Sequence, residues 1–270
     1  MLVKKQADMD AARASAARVC RVHEALVEFL RAGLTLSQVD EFVGETLAKL
    51  DATSAFLRYR ASGYPPFPSQ SCLSPNDVVV HGTHLMSDAG LVEGDLLSVD
   101  IGVLHKGWVG DAAWTYAIGS VSDENLRLLR TGRQSLFDGI DAIAQGRPLL
   151  DWARAVQHCV EDQAGMSLVR GLGGHGYGRT LHGPPFISNV VPTVPGEWPD
   201  AFRVWKPGML IAVEPMLNLG AHDVVSDPGA WPIRTRDGSN SAHYEADLLI
   251  GDDGVEVLTA DMFKLPDVVG

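Results

Sequence analysis

Two aspartates, Asp100 and Asp111, stand in a stretch that otherwise reads as an apolar hairpin: GDLLSVDIGVLHKGWVGDAAWTYAI, from Gly94 to Ile118. Leu97, Val99, Ile101 and Val103 alternate with Ser98, Asp100, Gly102 and Leu104, the period-two pattern of a strand. Lys106-Gly107 fits a two-residue turn, with glycine free to take a positive φ. That turn sets His105 opposite Trp108, Asp100 opposite Ala113 and Asp111 opposite Gly102. The two carboxylates then become diagonal neighbours on one face, their Cα atoms about 7–8 Å apart. Buried and unpaired, they would repel and take up a proton; a divalent cation between them removes the conflict. A pair of solvated edge acids is the other reading, and the hairpin alone leaves both open.

The rest of the chain supplies more of the same chemistry. Gly94 to Asp100 (GDLLSVD) recurs 114 residues later as GMLIAVE, Gly208 to Glu214. Asp111-Ala112 has a counterpart in Glu245-Ala246, each behind a short lead-in containing an aromatic residue. His81-Gly82 and His182-Gly183 form a further pair. Each half thus contributes one acid at the end of an apolar strand and one on a later strand. Brought together, Asp100, Asp111, Glu214 and Glu245 carry four negative charges, which two divalent cations neutralise. A single cation would leave two charges uncompensated, at several kcal/mol per ion. Oxygen donors with one added nitrogen suit Mn, Fe, Co or Zn and argue against a thiolate site. His175, between glycines in GHGYG, is the nitrogen expected. Two cations about 3.5–4 Å apart can activate a water and polarise a carbonyl, and His81 and His182 beside them could donate to the substrate amide and the developing oxyanion.

These side chains need elements to hold them. Val19, Val22, Leu26, Phe29 and Leu30 recur at helical spacing within Asp8 to Arg31, before Gly33. Thr35 and Gln38 form a capping-box pattern for a helix from Leu36 to Leu50. Gly33, Thr35, Leu36, Val39, Val43 and Leu47 are matched 113 residues on by Gly146, Pro148, Leu149, Trp152, Val156 and Val160. Ser122 opens a helix to about Ala144, and Leu149 to Gln163 reads as another. An apolar run, Asp77 to Val80, ends at His81-Gly82, and strands are expected at Met209 to Val213 and Ala242 to Ile250, with a short one at Val255 to Leu258. Gly173 to Pro185 is too rich in glycine to predict one regular element, and Pro192 to Pro207 reads as a lid or surface loop. The chain is expected to be one catalytic domain, 1–270, with related halves at about 8–120 and 121–262.

A net charge of −12 argues against nonspecific nucleic-acid or anionic-membrane binding. No apolar run approaches a membrane span, and MLVKKQADMDAARAS lacks the apolar stretch of a signal peptide. Cys20, Cys72 and Cys159 are odd in number and lack metal-finger spacing, so a reduced, cytoplasmic thiol set fits.

The segments HG at 81–82, SVDIGVLHKGWVGDAAWTYAIG, GHGYGRTLHGPP, GMLIAVEPM and SNSAHYEADLLI together resemble the type I methionine aminopeptidases. The likeness runs from roughly Asp8 to about Leu258. It implies the α+β pita-bread fold: two pseudo-two-fold related halves, with an antiparallel sheet core covered by helices. It implies that Asp100, Asp111, His175, Glu214 and Glu245 hold two metal ions, with Asp111 and Glu245 bridging them. It also implies that Glu214 acts as acid and base, His81 meets the scissile amide nitrogen, and His182 steadies the tetrahedral intermediate. Tyr64, Phe67, Cys72 and Trp231 would wall a methionine slot, where sulfur–aromatic contacts are favourable.

The implied activity is removal of the initiator methionine from nascent chains with a small second residue. Transient ribosome association, a monomeric state and no specific nucleic-acid or membrane partner go with it. An Xaa-Pro peptidase of the same fold is the nearest alternative. A metal-free binding protein of that fold is another, although such relatives lack one or more of the five ligands. The chain departs from the family at three places. Ala61 stands for a larger residue, Gly102 for a threonine common in bacterial members, and Leu181 for an aromatic before the second histidine.

Overall fold

Two helices, Gln6–Phe29 and Leu36–Lys49, open the chain in the computed structural model, which describes residues 2–270. The second begins at the expected capping box. The Thr35 side chain accepts from the Gln38 N–H, and the Gln38 side chain accepts from the Thr35 N–H, satisfying donors that no helical carbonyl reaches. The first helix buries Ala12, Ala16, Val19, Val22 and Leu26 and lies close against the hairpin. A Cβ at Gly110 would come within 2.7 Å of the Ala16 nitrogen, so glycine is what permits that approach.

The hairpin forms in the expected register. Leu96–His105 pairs antiparallel with Trp108–Ile118, with His105 opposite Trp108, Asp100 opposite Ala113 and Gly102 opposite Asp111. Lys106 and Gly107 turn with φ of 49° and 78°, the left-handed pair that matches strand twist. Cys72–Pro75 adds on the other side, setting Cys72 opposite Asp100.

A second pair of helices follows. Asp123–Asp141 is capped by Ser122, whose side chain accepts from the Asn125 N–H. Leu150–Gln157 is α-helical, but the stretch expected to continue it to Gln163 widens into a π-type turn, His158–Gln163. The second large sheet has the spatial order Val255–Val257, Ala246–Ile250, Leu210–Val213, Gly173–Gly176 and Gly183–Ser188. Its last two strands come from the glycine-rich run. A side chain at Gly174 would strike the Ala212 carbonyl, and one at Gly176 the Pro184 carbonyl; the glycines are there for close strand approach.

The single strand expected over Ala242 to Ile250 is two. Ser241–His243 pairs with Met216–Asn218, whereas Ala246–Ile250 pairs with Leu210–Val213 in the other sheet. The chain changes sheets twice side by side, once at Glu214-Pro215 and once at Tyr244-Glu245. Tyr244 N–H donates to Pro215 O across that seam, and Glu245 N–H donates to Ala113 O of the hairpin. Hydrogen bonds to different neighbours thus interrupt a run whose residues all suit a strand. The 192–207 segment is loop apart from a 3₁₀ turn at Pro199–Phe202. Its Asp200 carboxylate accepts from the Phe186 N–H at 2.8 Å, which ties the loop to the sheet. The architecture is α+β, and among the described residues no helix is long and apolar enough to cross a membrane.

Candidate metal centre

The seam between the sheets opens into a cavity of about 720 Å³, and all eleven residues singled out in the sequence line it. The hairpin brings Asp100 and Asp111, and the sheet changes bring Glu214 and Glu245. His175 comes from the strand beside Leu210–Val213, paired with Ala212. Its Nε2 lies 3.6 Å from Glu214 Oε1 and 3.8 Å from Asp111 Oδ2. Donor atoms of Asp111, His175 and Glu245 all fall within 4.8 Å of one another, and so do those of Glu214, His243 and Glu245.

Four carboxyls at this depth do not keep ordinary acidities. Burial, with their neighbours' charges, pushes Asp111 and Glu245 well above the usual carboxylate range; burial does the same to Glu214 and lifts Asp100 to about 7. Burial lowers His175 to about 3 and His243 to about 4, so both imidazoles are neutral at pH 7. Asp100 Oδ1, Asp111 Oδ1 and His243 Nε2 are buried without hydrogen-bond partners. Bare oxygens and neutral nitrogens facing one cavity are the donor set of a divalent cation. The residues present therefore fit the metals that the sequence implies.

The flanking histidines are held in different ways. His81 takes φ 58°, a strained value for a residue with a side chain. Gly82 next to it packs where a side chain would strike the Leu73 carbonyl. Together they turn the His81 ring into the cavity, and burial lowers its pKa to about 4. His182 Nδ1 lies 2.8 Å from the Tyr59 hydroxyl. Its ring centroid is 4.5 Å from that of His175.

The expected slot is an aromatic wall centred on Trp231. Its ring lies 4.8 Å from Tyr64 and meets Phe67 edge-on at 5.3 Å, centroid to centroid. The indole N–H donates to Pro65 O at 2.9 Å, fixing the ring plane. Cys72, paired opposite Asp100, lines the same cavity. Ala61 and Leu181 also line the cavity. At Gly102, a Cβ would strike the ring of Phe56. Phe56 occupies the room that a threonine would need.

Four residues that matter here escaped the sequence reading: Tyr59, Phe56, His243 and Asp247. Asp247 is fully buried and its Oδ2 accepts from the Asp111 backbone N–H at 2.8 Å, bracing one half's acid from the other half. His243 and Asp247 each lie two residues from Glu245, a spacing that could have flagged them. Nothing in sequence spacing ties Tyr59 to His182 or Phe56 to Gly102.

Residues 10–252 match the model of metallopeptidase family M24. The chain is 34% identical over 241 residues to methionine aminopeptidase 1 of Bacillus subtilis (strain 168), covering 89% of this chain and 92% of that protein. It is 36% identical over 257 residues to methionine aminopeptidase 1 of Mycobacterium tuberculosis, covering 93% and 92%. The crystal structure of methionine aminopeptidase from Thermotoga maritima superposes with a TM-score of 0.85 at 33% identity, covering 96% of this chain and 99% of that one.

Proposed function

The chain belongs to metallopeptidase family M24, and from that premise we propose how its cavity works. The protein is a metallo-aminopeptidase of pita-bread fold, and its activity is that of a methionine aminopeptidase. The observation that carries the reading is the meeting of four carboxylates, Asp111 and Glu245 buried and Asp100 and Glu214 partly so, with His175 in one cavity beside an aromatic slot. The chain is one catalytic domain, 1–270, with halves at about 8–120 and 121–262.

Asp100, Asp111, His175, Glu214 and Glu245 would hold two divalent cations, Co, Mn, Fe or Zn. Such ions supply a Lewis acid for the scissile carbonyl and acidify a water to serve as nucleophile. Glu214 takes the proton of the attacking water and delivers it to the leaving amine. His81, neutral and aimed inward, hydrogen-bonds the scissile amide nitrogen. With Nδ1 engaged by Tyr59, His182 has Nε2 left for the developing oxyanion. Tyr64, Phe67, Cys72 and Trp231 take the thioether side chain of an N-terminal methionine.

The substrate is a nascent chain whose second residue is small. The setting is cytoplasmic, with a monomeric enzyme that meets the ribosome transiently. The Xaa-Pro peptidase alternative is not favoured, because relatives at 34% and 36% identity over about nine-tenths of the chain are methionine aminopeptidases. The test is hydrolysis of Met-Ala-Ser against an Xaa-Pro peptide, with and without chelator. Met-Ala-Ser is expected to be cleaved, chelation to abolish the reaction, and divalent cation to restore it. Preference for Xaa-Pro, or indifference to chelator, overturns the reading.

A further inference from the structure

His243 stands outside the ligand set that the sequence implies, yet it is built into the same centre. It is 2% exposed and lines the cavity. Its Nε2 lies 3.2 Å from Glu214 Oε2 and 4.0 Å from Glu245 Oε2. Neither approach completes a hydrogen bond, so the nitrogen stays without a partner. A buried imidazole left bare among carboxylates costs stability unless something accepts its lone pair.

Its backbone is clamped beforehand. His243 N–H donates to Thr115 Oγ1 at 2.9 Å, and the Thr115 hydroxyl lies 2.8 Å from the His243 carbonyl. Thr115 belongs to the Trp108–Ile118 strand that also carries Asp111. A cation with bonds of about 2.0–2.2 Å spaces its donors by about 3–4 Å, the separations His243 shows to the two glutamates.

We propose that His243 is a further metal ligand, its Nε2 serving the cation position defined by Glu214 and Glu245. The centre then carries two imidazoles, His175 and His243, both with Nε2 within 4 Å of Glu214. This rests on the two-metal reading above and adds to it a second nitrogen. A second imidazole biases the centre toward Zn, Co or Fe and away from Mn and Mg.

X-ray absorption at the zinc edge tests this on the full chain, stripped with chelator and reloaded to two zinc ions. An average of one imidazole per zinc is expected, falling to half in His243→Gln, with affinity for one of the two ions at least about tenfold weaker. Circular dichroism establishes that the variant is folded; should it not fold, the wild-type count decides alone. Two bound zinc ions sharing a single imidazole overturn the assignment while leaving the two-metal reading intact, as does an unchanged count in a folded His243→Gln. A chain that takes up no zinc overturns both.

Discussion

The Tyr59 hydroxyl lies 2.8 Å from Nδ1 of His182, joining a residue just ahead of the Tyr64 to Pro68 connector, YPPFP, to a histidine 123 positions away. The contact fixes which ring nitrogen is left to face substrate. A hydrogen bond of this kind is worth about 0.5–1.5 kcal/mol. Tyr59→Phe should therefore lower kcat about 2–12-fold, with KM nearly unchanged. Steady-state kinetics on Met-Ala-Ser check it; a rise in KM alone would make Tyr59 part of the binding wall.

Gly102 and Phe56 occupy one space between them. Gly102→Thr should destabilise the chain by about 1–3 kcal/mol through overpacking. In a Phe56→Ala background the same change should cost less, because the ring it displaces is gone. Denaturant unfolding of the four-member cycle gives the coupling. Equal costs in both backgrounds would refute the shared-space account.

The metal-free chain should lose stability as pH rises above about 6.5. The lowered histidines, His81 and His243 at about 4 and His175 at about 3, are then neutral whether folded or not. Asp100, lifted to about 7, and Asp111, Glu214 and Glu245, all raised by burial, bind protons more tightly in the fold than in the unfolded chain, so the stability they lend drains away as pH climbs toward their folded values. Each retained proton costs about 1.4 kcal/mol per pH unit. Thermal melts in chelator from pH 6.5 to 8.5 should fall, and added divalent cation should flatten the trend. A midpoint that climbs with pH in chelator contradicts this electrostatic picture.

Trp231→Ala should lower kcat/KM for Met-Ala-Ser roughly 30-fold, the equivalent of about 2 kcal/mol for a central aromatic anchor. Trp231→Phe keeps a ring but not the N–H that donates to Pro65 O, and should fall between. Metal content should be the same in all three proteins. Loss of bound metal in Trp231→Ala would move the residue from the slot to the centre.

Much of this was legible beforehand, and the reasons differ by residue. The hairpin register followed from a turn of two residues, because a fixed loop length leaves no freedom in pairing; Asp100 and Asp111 were placed by it. Glu214 and Glu245 could be paired with them through repeated strand ends. The break at Tyr244-Glu245 was invisible, since the choice between two sheets is made by long-range partners, Pro215 and Ala113. The glycine-rich arms looked irregular because composition does not reveal which carbonyl a strand must approach. Tyr59 and Phe56 were missed for a related reason: the path of their segment over the cavity is set by packing, not by period.

The acids at the sheet crossings have one more consequence. Neither half of the molecule owns a complete nest of donors, so capturing the ions and closing the seam are a single equilibrium. A cell starved of metal would then hold a chain whose seam gathers four acids with no cation between them.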